Sequence, residues 1–281
     1  WLKGELQPNP PHGPPLPPYA ITALMGHPAM LTTIILAALL GRAAGAGAGQ
    51  PTAASAPSLR SIGYYDVAAQ KELPLESLPP AGELTHLVLS GALKVDNSGA
   101  LHLRAPEAPG ELSAEELIQR LAKRPEKLVL SLRGHPDDVA LDELSEQDDA
   151  RARFARDMAA KLREWGASGL EIEWHADDPA GGKAATEPFD IMEQYHFALL
   201  CRDLKVALRG TGGNRTLSVA ARPGRREFAD GNFVRSYIDW LALRAYSMRS
   251  LGDPHHSSLK DMHTALNEWA DRGVPKSQLV L

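Results

Sequence analysis

Residues 58–281 are predicted to form an α/β domain, a (β/α)8 TIM barrel, on three observations. Seven short apolar runs recur between longer amphipathic segments. Most of these runs are apolar without alternation, as strands are when a parallel sheet is covered on both faces. The first run continues as YYDVAAQKELP, which contains no glycine, so a doubly wound sheet with a Gly-rich phosphate loop fits poorly.

The elements follow in order. SIGYY (61–65) and HLVLSGAL (86–93) read as the first two strands. Ser113 and Glu116 form a capping box ahead of Leu117, Ile118 and Leu121, which predicts a helix. KLVLSL (127–132) is the third strand. A helix carrying Phe154, Met158, Leu162 and Trp165 at helical spacing follows, stopped by Gly166. GLEIEW (169–174) is the fourth strand, and a helix runs from about Phe189 to Leu208, ending at Gly210. TLSVAA (216–221) and DWLALRAY (239–246) are the fifth and sixth strands. Leu259, Met262, Leu266 and Trp269 share one helical stripe that ends at Gly273, and QLVL (278–281) is the seventh strand. The helical stripes read as core. The barrel is expected to be incomplete, truncated in about strand seven, because the sequence stops there.

The first 57 residues have a different composition. Residues 1–24 are Pro-rich (QPNPPHGPPLPP) and are expected to be disordered or to lie upstream of the true start at Met25. Residues 25–50 read as a signal peptide with no basic n-region beyond His27, the alternative being a low-complexity Ala/Gly tail. Leu31 to Leu40 is an apolar run too short to span a bilayer, and the small residues from Ala43 to Gly49 suit a processing site. Residues 51–57 form a linker. The expectation is therefore a secreted, extracellular protein without a membrane anchor. On a secretory route, Asn214-Arg215-Thr216 in the loop GTGGNRT is a candidate glycosylation site with Asn214 as acceptor, although sequons this short also occur by chance. The net charge of -5 and a pI near 6.1 give no reason to expect nucleic acid or an anionic membrane as a partner. The single cysteine, Cys201, cannot form a disulfide within the chain and reads as a small buried hydrophobe.

The stretch GLEIEWH carries the chemistry. Glu171, Glu173 and His175 alternate onto one face of a strand, at the C-terminal end where barrel sites sit. Ionisable side chains rarely line a buried strand unless they are paired or functional. One alternative is an exposed strand with ordinary charges. Another is a metal site, since carboxylate and imidazole on one strand can bind zinc or iron. No second histidine cluster supports it, as His255-His256 sit in a loop beside Pro254. No metal and no cofactor are expected.

Four segments together resemble glycoside hydrolase family 18, the chitinases and chitinase-like lectins. SIGYYD resembles that family's first strand, and KLVLSLRGH its third, with Ser131-Leu132-Arg133-Gly134 at a Ser-x-Gly-Gly signature. DWLALRAYSM resembles the sixth strand, whose pattern is Met-x-Tyr-Asp. ASGLEIEWH resembles the fourth-strand signature D-G-aliphatic-D-x-D-W-E, with Trp174 fixing the register. The resemblance implies a family 18 barrel, with the last Glu of the signature as general acid. It also implies that the Asp two residues earlier orients the substrate's N-acetyl group, whose oxygen is the nucleophile. Here Ser168, Glu171, Glu173 and His175 stand at the three Asp positions and the catalytic Glu. Leu243 or Arg244 replaces the Met, Tyr246 keeps the Tyr, Ser247 replaces the Asp, and Arg133 replaces a Gly.

An imidazole does not place its nitrogens where a Glu oxygen lies, and small misplacements of an acid are costly. Glu173 is one methylene longer than Asp. The resemblance therefore implies a secreted chitinase-like protein that is catalytically inactive and binds chitin or N-acetylglucosamine oligosaccharide. Tyr64, Trp174, Tyr246 and Ser247 would be the substrate-binding positions. An active family 18 glycosidase with atypical residues and a scaffold without sugar affinity are the alternatives.

Overall fold

The computed structural model describes residues 59–96, 98–106, 108–133, 139–173, 191–210, 212–221, 231–244 and 258–281. The expected Pro-rich segment, signal peptide and linker lie outside the described residues. One sheet of eight strands organises the chain. The strands are β1 (Ile62–Asp66), β2 (His86–Val95), β3 (Leu101–Leu103), β4 (Lys127–Arg133), β5 (Gly169–Glu173), β6 (Thr216–Ala221), β7 (Trp240–Leu243) and β8 (Leu279–Val280). All but β3 are parallel to their neighbours, in the order β1-β2-β4-β5-β6-β7-β8. Sequential parallel strands with helices between them are the arrangement of a (β/α)8 barrel.

The helices are α1 (Ala114–Leu121), α2 (Val139–Glu146), α3 (Asp148–Glu164), α4 (Ile191–Gly210), α5 (Gly231–Tyr237) and α6 (Leu259–Asp271). At α1 the capping box is present: Ser113 Oγ accepts from the Glu116 amide and the Glu116 carboxylate accepts from the Ser113 amide. Three elements go beyond the sequence expectation. Strand β2 runs on to Val95 and turns back as β3, antiparallel to it with Leu93 opposite Leu103. Asp96 makes that turn by accepting from the amides of Ser98 and Ala100. Helices α2 and α5 are short and carry weak apolar stripes, so their periodicity did not announce them. Predicted strands 239–246 and 278–281 are shorter than expected, at Trp240–Leu243 and Leu279–Val280.

Because side chains alternate along a strand, the sheet has two apolar faces of different size. Leu87, Leu89, Leu128, Leu130, Leu132, Leu170, Ile172, Leu217, Val219, Leu241 and Leu243 pack outward in one continuous core with the helices. Phe154, Met158 and Leu162 of α3 and Phe197, Leu200 and Leu204 of α4 supply its helical side. Each such fully buried aliphatic stabilises the fold by roughly 1.5–3 kcal/mol. The inner face holds a second, small cluster of Ile62, Val88, Val129, Trp240 and Ala242. His86 closes this floor. Its ring meets Trp240 edge-on at 5.0 Å, and burial, with Lys127 and Arg60 nearby, lowers its pKa to about 4.

Close packing dictates the glycine that opens β5. A Cβ on Gly169 would stand 2.8 Å from the Thr216 carbonyl oxygen of β6. Buried ion pairs tie helices to strand ends. Lys205 of α4, nearly fully buried, reaches Asp239 Oδ2 at 2.5 Å, and the same oxygen accepts from the Leu217 amide at 2.6 Å. Arg151 of α3, 1 % exposed, donates to Asp203 of α4 at 3.3 Å and to the Ser145 carbonyl at 2.6 Å. Removing one partner of such a pair strands a buried charge. Asp239→Ala is expected to destabilise the domain by about 3 kcal/mol, read as a lower urea midpoint with an unchanged slope. An unchanged midpoint would show that Lys205 finds water instead.

Candidate active-site cleft

The inward positions of the parallel strands change character from floor to mouth. The register sets Ser131 of β4 and Ser218 of β6 on either side of Glu171 of β5. One layer further toward the C-terminal ends, Arg133 stands beside Glu173. Across the sheet, Tyr64 and Asp66 of β1 and Ser90 of β2 occupy the matching positions. The inner face is thus apolar below and ionisable above. That follows from a period of two applied to YYD, SLR and LEIE.

Glu171 is fully buried. Tyr64 donates its hydroxyl to Glu171 Oε2 at 2.9 Å. Burial raises the carboxyl's pKa to about 7, while the hydrogen bond from Tyr64, the charge of Arg244 and the neighbouring hydroxyls of Ser131 and Ser218 pull the other way. Desolvation dominates, so the group carries a proton through most of the acidic range.

Glu173 is compensated differently. Arg133 Nε donates to Glu173 Oε2 at 3.0 Å, and Arg244, just beyond β7, meets Glu173 Oε1. The Arg133 guanidinium also lies 3.8 Å from Asp66 Oδ2, which accepts from Ser90 Oγ at 2.8 Å, while Asp66 Oδ1 caps the following turn by accepting from the Ala68 amide. The extra methylene that distinguishes Glu173 from an Asp carries its carboxylate out to both guanidiniums.

The structure places Tyr64, Glu171 and Glu173 in this cleft. Trp174, His175, Tyr246 and Ser247 lie outside the described residues. Asn214 is exposed in the loop between α4 and β6. Sequence reasoning named Arg133 and Arg244 only as replacements and gave them no role. A signal was available, since Arg133 lies an even number of residues from Ser131 and so shares its face, but the partner on β5 depends on register. Among the described residues no group of three or more His, Cys, Asp and Glu side chains is arranged to hold a metal ion. No helix among them is long and apolar enough to cross a membrane.

A parallel barrel sheet with ionisable groups gathered at the C-terminal ends of its strands defines a TIM-barrel protein. Residues 60–281 match the model of the glycosyl hydrolases family 18, and the chain belongs to that family. Probable chitinase 10 of Drosophila melanogaster is 24% identical over 148 residues, covering 47% of this chain and 6% of that protein. Among solved structures, catalytic domain 2 of the Ostrinia furnacalis Group II chitinase superposes with a TM-score of 0.59 at 19% identity, covering 78% of this chain and 62% of that one. YKL-39, solved in the presence of chitooligosaccharides, gives 0.58 at 18% identity, covering 78% and 64%. The chitinase domain of the spore coat protein CotE from Clostridium difficile gives 0.57 at 17% identity, covering 83% and 68%. At these identities the likeness is one of fold. The chain spans less than two thirds of the length of the first two solved relatives and a small part of the Drosophila protein.

The raised pKa of Glu171 sets a pH dependence. Relative to an ordinary value of 4.5, a folded pKa of about 7 means that the folded state holds this proton longer than the unfolded one. The stability it contributes is complete below pH 4.5, declines as pH rises and is gone above about 7. Glu171→Gln is expected to flatten the fall in stability over this window, measured by urea unfolding at stepped pH. Tyr64→Phe removes a bond that favours the ionised form, so the Glu171 carboxyl resonance in NMR should titrate at higher pH than in the parent. A downward move would refute the assignment of Tyr64 as donor to the carboxylate.

Proposed function

We propose that this protein is a secreted, catalytically inactive chitinase-like member of family 18 that binds N-acetylglucosamine-containing oligosaccharide at the C-terminal mouth of its barrel. The observation that carries the reading is the double clamp on Glu173. This residue stands where the family's signature has an Asp to orient the N-acetyl group, and here its carboxylate is held by Arg133 and Arg244. A carboxylate neutralised by two cations is a poor partner for an amide that develops positive charge. His175 at the general-acid position and Ser247 at the sixth-strand Asp position point the same way. Residues that act as a catalytic unit are not additive, so loss of the acid alone removes most of the rate. YKL-39 was crystallised with chitooligosaccharides, which supports oligosaccharide as the ligand class of this chain.

One observation favours an active enzyme instead. Glu171 retains a proton near neutral pH inside the cleft, and a proton donor poised there is what general acid catalysis uses. A fluorogenic chitotrioside assay separates the two readings. The unaltered protein is expected to show only background turnover while still binding chitotriose. Turnover that disappears in Glu171→Gln or His175→Ala would establish an enzyme and identify its acid. Absence of both turnover and binding would leave a scaffold without sugar affinity.

Secretion has its own test. Expression from Met25 in a secreting cell is expected to release protein whose new N-terminus lies between about residues 46 and 51, with Asn214 glycosylated. Cytosolic protein with Met25 intact would reject both.

A further inference from the structure

We propose that Arg133 and Arg244 form a salt-bridge plug across the barrel mouth, which an uncharged oligosaccharide must displace to reach the layer of Tyr64 and Glu171. The inference rests on the oligosaccharide reading above and adds what controls access to the site.

The ion pairs run across the sheet, from Asp66 on β1 to Arg133 on β4, Glu173 on β5 and Arg244 beyond β7. Neighbouring strands lie about 4.8 Å apart, so Arg244 must reach over β6 to touch β5, a span of about 10 Å. The register leaves room for that. The pair Ile172–Val219 puts Ala220 on the inner face of β6 at the level of Glu173, and its methyl group is the smallest side chain that could stand there short of glycine. Beneath the ion pairs, Glu171, Ser131 and Ser218 are each at most 2 % exposed. The ion pairs stand one layer further toward the C-terminal ends of the strands than this buried polar layer.

The two ends of the plug differ in how firmly they are held. The Arg244 side chain is 19 % exposed and that of Arg133 is 42 % exposed. A half-exposed guanidinium keeps part of its hydration, and its pairing is weak and screened by salt. Arg133 is therefore the end that opens. The plug holds two carboxylates and two guanidiniums, so an uncharged ligand gains nothing from its net charge and loses whatever the displaced pair contributed. Salt weakens that pair without weakening the stacking and hydrogen bonding of a neutral sugar. Affinity for the sugar then rises with ionic strength, which a merely structural ion pair elsewhere in the wall would not produce.

The test is calorimetric titration of chitotriose into the protein at low and high sodium chloride. For the parent, affinity is expected to increase with salt. Arg133→Gly should tighten binding by up to about fivefold, the range that one partly exposed ion pair supplies, and should abolish the salt dependence. Glu173→Gln combined with Arg244→Met keeps the mouth uncharged there and should have the same effect, and a thermal melt checks that each variant is folded. Equal affinities for parent and folded variants, with no salt dependence, would overturn the plug while leaving oligosaccharide binding standing. If neither parent nor variants bind chitotriose, the oligosaccharide reading falls and the plug's role with it.

Discussion

A carboxylate removed from water must either keep a proton or be met by a cation, because the charge alone is too expensive to bury. Two glutamates on one strand meet this constraint in the two different ways. Glu171, deeper in the barrel, takes the proton and is ringed by hydroxyls. Glu173, one layer nearer the mouth, takes two arginines. Much of the inner upper face follows from those choices. Serines flank Glu171 because a hydroxyl can serve either protonation state. Arginines appear on β4 and beyond β7 because those positions reach the next layer. Asp66 then answers the second edge of Arg133.

Holding this arrangement depends on strands that do not slip, since a shift by one residue would send the acids into the helical layer. The outer core fixes them. Leu170 and Ile172 alternate with Glu171 and Glu173 and pack into the large apolar cluster with α3 and α4. Gly169 lets β6 approach closely, which brings Ser218 level with Glu171. Lys205 and Asp239 then anchor α4 to the start of β7, the strand that leads to Arg244. The cleft and the scaffold are parts of one packing problem.

Membership of family 18 explains the barrel and its mouth, and the substitutions explain why the mouth differs. Arg133 and Glu173 add charge or length where the family signature has a Gly and an Asp, whereas Ser168 is shorter than the Asp it replaces. Arg133, Glu173 and Arg244 are therefore best understood as a set, since the buried Glu173 carboxylate would stand unpaired without the two guanidiniums.

Much of the protein was legible from residues alone, for physical reasons. Apolar runs of strand length without alternation suit a sheet covered on both faces, and their alternation with helical stripes points to the parallel order seen in the seven strands from β1 to β8 other than β3. The capping box at Ser113 and the stop at Gly166 are local chemistry, so both helix ends could be read directly. The spacing of Glu171 and Glu173 placed both on one face. The β3 return, α2 and α5 were missed because short elements carry too few residues to show a period. The partners of Glu173 were missed for a deeper reason. Arg133 lies 40 residues away in sequence and Tyr64 lies 107 residues from Glu171. Only the register of four strands brings them together. Which side chains a strand turns inward is a local property of the chain, but which of them meet is decided by strand pairing, and only the folded sheet has that.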